Sequence, residues 1–190
     1  MLRSRRAALS AVLICPLVAL AACGNSRTPV PSVTTPAPPS GLRALSFPAA
    51  GVSLQAPSNW AVTAGHGHLV TTVSSGAAVI ALWRFPSSAR PPVGRVALRQ
   101  AAQGLIKAAR ARDPSMRLIG SEVTRIGGVP AVELDAVEQI AGHARQVRSS
   151  HLFGPRAEVV LEEYAPPGLF PGVDQTVFVP LRRSLIVTRA

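Results

Sequence analysis

The spacing of hydrophobic positions divides this chain into stretches with distinct structural expectations. Residues 7–22 are apolar apart from Ser10. That run is shorter than the ~20 residues that span a bilayer, and Pro16 interrupts it. Residues 24–42, GNSRTPVPSVTTPAPPSGL, carry almost no large apolar side chain. Such a stretch buries too little surface to offset its ordering entropy, so an extended, disordered tether is expected. A globular pattern begins at Arg43. Residues 44–47 and 52–55 read as short strands parted by Pro48 and Gly51. Residues 69–73 and 78–85 read as stronger strands parted by Ser74-Ser75-Gly76.

Residues 95–112, RVALRQAAQGLIKAARAR, give the clearest helix. Leu98, Ala101, Ala102, Leu105, Ile106 and Ala109 form one stripe at three- and four-residue spacing, and Arg99, Gln103, Lys107 and Arg110 fall outside it. Asp113-Pro114 should stop it, and Lys107, Arg110 and Arg112 complement its C-terminal dipole. Four antiparallel strands are then predicted over 117–126, 129–140, 144–153 and 157–164. The first turn, Gly127-Gly128, is a two-residue hairpin signature, and Ala141-Gly142 makes the second.

Counting register from the second turn sets Asp135 opposite Arg148 and Glu138 opposite Arg145, two cross-strand ion pairs on opposite faces. Leu134, Ala136 and Val147 are expected to line a core with Val159 and Leu161. The Glu138–Arg145 pair then belongs at the rim or beside a bulge. The first turn sets Glu122 against Glu133, a repulsive pair that Arg148 would relieve diagonally. A closing helix is predicted over 170–185, with Asp174 as N-cap, Val177, Phe178, Leu181 and Leu185 as its stripe, and a kink or delay at Pro180.

Ahead of the apolar run stand Arg3, Arg5 and Arg6, completing the basic-then-apolar plan of an export signal over 1–22. The run ends in Leu20-Ala21-Ala22-Cys23-Gly24, which resembles the lipobox of bacterial lipoproteins. The resemblance implies cleavage between Ala22 and Cys23 and a diacylglycerol on the Cys23 sulfur, chemistry that needs a thiol. Two acyl chains make a stable anchor where one is marginal. The competing reading is an ordinary leader followed by an unmodified cysteine. With Cys15 removed and Cys23 acylated, no thiol remains for a disulfide, a metal or a nucleophile.

The formal net charge of +11 falls once the three leader arginines depart, and Lys107 is the sole lysine. Arginine in place of lysine, with abundant Ala, Gly and Pro, matches coding from a GC-rich genome and says little about function. An exported domain whose arginines do not cluster with aromatics is not expected to bind nucleic acid.

Three further segments carry a family resemblance: Gly51-Val52-Ser53-Leu54 with Pro57-Ser58-Asn59-Trp60, then Gly128-Val129-Pro130-Ala131-Val132-Glu133-Leu134, then Leu181-Arg182-Arg183-Ser184-Leu185. Together with the element order, they make residues 44–188 similar to the PsbP-like domain that the nuclear Mog family shares, and in particular to the LpqN-type lipoproteins of actinobacteria. The resemblance implies an α+β fold, a central antiparallel sheet with a long helix after the first strands and a closing C-terminal helix, as one domain over 43–190. It implies an accessory or binding role and supplies no catalytic residue.

Candidate chemistry is sparse. His66 and His68 would need a third ligand to hold a metal. His143 and His151 lie eight residues apart on another hairpin, so an exposed turn is expected at Gly65–His68 and no metal site. The carboxylates Glu133, Asp135, Glu158, Glu162 and Glu163 fit ion pairing with arginines on a polar sheet face better than hydrolysis. Trp60 is expected to plug the core and Trp83 to pack. Neither a Gly-x-Ser-x-Gly elbow nor a phosphate-cradling glycine loop occurs. The sequence therefore predicts a non-enzymatic binding or accessory module without cofactor. It would be held by lipid on the extracytoplasmic face of the cell membrane, with an envelope protein as partner. The alternative is a carrier or sensor of an apolar ligand such as an envelope lipid.

Overall fold

The computed structural model describes residues 32–188. The leader, Ala22 and Cys23 lie outside the described residues. Ten strands and the helices follow one another as β1 (Leu42–Phe47), β2 (Val52–Pro57), β3 (Ala61–Ala64), β4 (Leu69–Ser75), β5 (Ala78–Pro86), α1 (Gly94–Arg112), β6 (Arg117–Ile126), β7 (Val129–Ile140), β8 (His143–Phe153), β9 (Ala157–Ala165), α2 (Phe170–Val173), a π-helical segment (Asp174–Phe178), α3 (Val179–Ser184) and β10 (Ile186–Val187). Seven strands form one sheet in the order β3-β4-β5-β9-β8-β7-β6, and β1-β2-β10 form a second. Every strand pair is antiparallel.

Alternating side chains give the large sheet two faces. On one, Ile80, Leu82, Ala131, Leu152, Val159 and Leu161 join Val52, Leu54 and Trp60 and the closing-helix residues Phe170, Val177, Phe178 and Leu181. On the other, the α1 stripe packs Leu98 and Ala102 on Val132 and Leu134, and Ala109 on Ala136 and Met116. The sheet is thus sandwiched between α1 and the closing helix. The expected partnership of Leu134, Ala136 and Val147 with Val159 and Leu161 is corrected here. Val147 faces Tyr164, and Leu161 faces Ser150 on the opposite side. The β8–β9 connection shifts parity by one residue, which exchanges the faces of β9.

Both hairpin registers agree with the count from the turns, Ile126 against Val129 and Ile140 against His143. Gly127, Gly128, Ala141 and Gly142 all have positive φ, as a type I′ turn requires at both central positions. Ala141, at φ 51, is the one non-glycine with positive φ among the described residues. Its Cβ is strained there, so Ala141→Asn should raise stability by about 0.5–1 kcal/mol, read as a higher urea midpoint. An unchanged midpoint would mean that the turn relaxes around alanine.

Four expectations are revised. The tether is not free as far as residue 42. Thr34 O accepts from Ala77 N at 2.7 Å, Ala37 N donates to Ser75 Oγ, and Asn59 and Trp60 bond to Pro38 O and Ala37 O, so this end is pinned along the β3–β5 hairpins. Asp174 is not an N-cap. The helix starts at Phe170, and Asp174 already has helical φ −57 and ψ −51. Pro180 neither delays nor breaks the helix, because the π segment just ahead of it absorbs the missing N–H. Finally, β7 and β8 pair without a bulge from Ala131 to Ile140. Glu138 and Arg145 do face each other, but both are buried, and Glu138 meets Arg112 of α1 at 3.3 Å.

The end of α1 is fixed as the sequence suggests. Asp113 is its C-cap residue, and its carboxylate accepts from Ser115 N and Oγ and from Gln139 N. Burial pushes the Asp113 pKa up. Hydrogen bonds from Ser115 and Gln139 and the charge of Arg112 outweigh it and leave the group below its ordinary value.

Candidate functional site: a charged cleft under the closing helix

Two rows of cross-strand neighbours run beneath the closing helix. In the first, Gly120 faces Asp135, Asp135 faces Arg148, and Arg148 faces Glu163. In the second, Glu122 faces Glu133, which faces Ser150. Alternation sends these residues to the same side as Ala131, Leu152 and Leu161, so they underlie the helix. From above, Asp174 and Arg182 reach down. Eight residues apart, they would sit off one another on a regular helix. The intervening π segment takes one extra residue per turn, so the pair is spaced as about two turns.

Arg148 is the hub. Its Nε and Nη2 donate to Asp135 Oδ2 at 3.1 and 2.9 Å, its Nη1 to Asp174 Oδ1 at 2.5 Å, and its Nε lies 4.0 Å from Glu133. The guanidinium also stands 5.4 Å from the centre of the Phe170 ring. Arg182 donates to Glu163 Oε2 and approaches Glu133 at 3.7 Å and Asp174 at 3.5 Å. Glu163 is wholly buried. Burial pushes its pKa up to about 8, although the Arg182 and Arg148 charges pull the other way. Outside this network the cleft opens to about 460 Å3, bordered by Ile119, Gly120, Glu122, Asp135 and Asp174 among others.

The sequence-predicted residues fall as follows. Glu133, Asp135 and Glu163 belong to the cleft, whereas Glu158 and Glu162 point to the opposite face; there Glu158 meets His151 Nδ1 at 2.6 Å. The expected Asp135–Arg148 pair forms, and Arg148 and Arg182 both approach Glu133, relieving its repulsion with Glu122. His66, His68 and His143 are all exposed. His68 lies 3.2 Å from Arg84 O and its ring 5.0 Å from Phe85. Among the described residues no three His, Cys, Asp or Glu side chains converge on a metal-sized space. Trp60 is buried in the core, and Trp83 stacks near Phe85. Asp174 and Arg182 are the cleft residues that the sequence did not place. Their eight-residue spacing hid them.

No protein-family model matches the chain, and no curated protein does so. Solved structures do. CyanoP, the cyanobacterial PsbP of Synechocystis sp. PCC 6803, matches with a TM-score of 0.60 at 12% identity, over 77% of this chain and 92% of that one. LpqN of Mycobacterium tuberculosis, described as involved in cell envelope biogenesis, matches with a TM-score of 0.54 at 14% identity, over 72% of this chain and 83% of that one. At such identities the likeness establishes the fold, which is PsbP-like α+β.

Proposed function

We propose that this chain is a lipid-anchored, extracytoplasmic binding or accessory module of the cell envelope, without enzymatic activity. The observation that carries the reading is Cys23, placed right after Leu20-Ala21-Ala22 where the apolar run ends. The fold adds support, since LpqN, a protein of the same architecture, is described as acting in cell envelope biogenesis. Among the described residues no helix is long and apolar enough to cross a membrane, so attachment through Cys23 is the route this reading relies on. The charged cleft is the surface offered to a partner.

Its test is direct. The native chain, expressed in a bacterial host, should partition with membranes and carry acyl mass on an N-terminal cysteine. Cys23→Ser should lose that mass and its membrane retention. Native protein recovered free in the medium without lipid would refute the anchor. The carrier alternative draws less support. Between sheet and closing helix, Leu152, Leu161 and Phe178 are fully buried among their neighbours in the core, so a bound acyl chain there would have to displace packed side chains.

A further inference from the structure

Helix α1 carries Arg95, Arg99, Lys107, Arg110 and Arg112 and no acidic residue. Its inner stripe is taken up by β6 and β7. On the outside, Val96, Arg99, Gln103, Lys107 and Arg110 recur at three- and four-residue spacing, which sets them on one face about 20 Å long. All of them are exposed. Arg112 turns back to Glu138, while Arg95, Arg99, Lys107 and Arg110 pair with no carboxylate among the described residues. Helix stability accounts for only part of this pattern. Arg110 and Arg112 complement the C-terminal dipole, but Arg95 stands in the first turn, where a cation is unfavourable. Arg95 and Arg99, four apart, repel each other as well.

Three further observations bear on what meets this face. Val93 and Val96, at its N-terminal end, are 76% and 70% exposed, so apolar groups stand beside the cations. The charge of the molecule is also divided across the sheet: Glu122, Glu133, Asp135 and Asp174 border the cleft on the opposite side, with Glu163 behind Arg182. Finally, the tether is shorter than its composition suggests, because bonds to Ala77, Ser75 and Trp60 tie it to the domain from Thr34 onward. From Cys23 to Thr34 the chain reaches at most roughly 40 Å. An acylated Cys23 therefore holds the domain within about its own diameter of a membrane.

We infer that the outer face of α1 docks on an anionic phospholipid surface, with Arg99, Lys107 and Arg110 on the headgroup phosphates and Val93 and Val96 at the interface. The inference takes from the anchor reading only that a membrane lies close by, and goes beyond it by fixing which side of the domain faces that membrane. Each basic side chain near such a surface strengthens binding severalfold. A run of like charge attracts without setting a register, which suits a fluid headgroup layer better than one protein partner. In this orientation the charged cleft faces away from the membrane, where a partner reaches it.

The test uses the full chain with Cys23→Ser, which has no acyl anchor, and floats it with vesicles of phosphatidylcholine alone or mixed equally with phosphatidylglycerol. The mixed vesicles should bind it more tightly, and high salt should remove that gain. Arg99→Gln, Lys107→Gln and Arg110→Gln together should weaken binding to the mixed vesicles at least about tenfold. Glutamine is a good helix former and these positions are exposed, so the urea midpoint should hold. A second triple variant removes the same charge elsewhere, through Arg125→Gln, Arg156→Gln and Arg183→Gln, and should lose far less. The leader is common to both triples and cancels between them. Equal losses in the two would reduce the effect to net charge and overturn the proposal. Equal binding to both vesicle types would overturn it too, and leave the face to an acidic protein. Position 23 is serine throughout, so failure here leaves the anchor standing, and the reverse.

Discussion

Arg148→Met should cost the fold about 3–5 kcal/mol, the penalty for removing one partner of a buried ionic network. The side chain is 16% exposed and holds Asp135 of β7 and Asp174 of the π segment, with Glu133 in reach. Methionine fills much of the volume and keeps the contact with Phe170, so the loss reports charge rather than a hole. What remains is a set of carboxylates, Glu133, Asp135 and Asp174, facing one another with Arg182 alone among them. The closing helix should loosen first, since Arg148 to Asp174 is one of the two side-chain hydrogen bonds between helix and sheet in this network; Arg182 to Glu163 is the other, with Arg182 near Glu133 as a longer ion pair. Urea unfolding measures the loss. Adding Asp174→Asn should recover part of it, because two residues in one network are coupled. A loss below about 1 kcal/mol would mean that water screens the network as it does a surface pair.

Much of this fold is written in short-range pattern. The α1 stripe, the Asp113 stop, the type I′ turns and the Asp135–Arg148 pairing depend on neighbours three or four apart or on counting from a turn, so they can be read from residues alone. Strand β9 is less legible. It lies between β5 and β8 and is buried nearly throughout, so its apolar residues do not alternate and its phase cannot be counted. That is why Val159 and Leu161 were expected on the wrong face. Strands β3 and β10 were not expected. The burial of β3 shows no alternation, and β10 has two residues and exists only because β2 offers it an edge. The cleft was half visible. The acidic set and its arginine partner from β8 are near each other in sequence, while Asp174 and Arg182 join through a π segment that no i, i+4 template anticipates.

Glu163 sets the second large expectation, a stability that falls as pH rises through the neutral range. Its carboxyl titrates near 4.5 when exposed, and burial lifts it to about 8 in the fold. A group whose folded pKa is raised binds its proton more tightly when folded. The stabilisation is therefore complete below about pH 4.5 and is lost as pH climbs to 8, after which the curve flattens. The total should be of the order of a few kcal/mol, with the pull of Arg182 on the ionised form already contained in the shift. Glu163→Gln keeps the shape and removes the charge. Its unfolding free energy should stay level between pH 5 and 8 where that of the parent declines. Asp113 acts in the opposite sense and at a different place. Its depressed pKa adds stability that fades only as pH drops below its ordinary 3.8, so it leaves the alkaline slope to Glu163. Urea midpoints of both chains at pH 5, 6.5 and 8 decide the matter. Parallel curves would show that Arg182 keeps the buried carboxylate ionised throughout. In that case, the closing helix would be held by a permanent ion pair rather than by one that a proton adjusts.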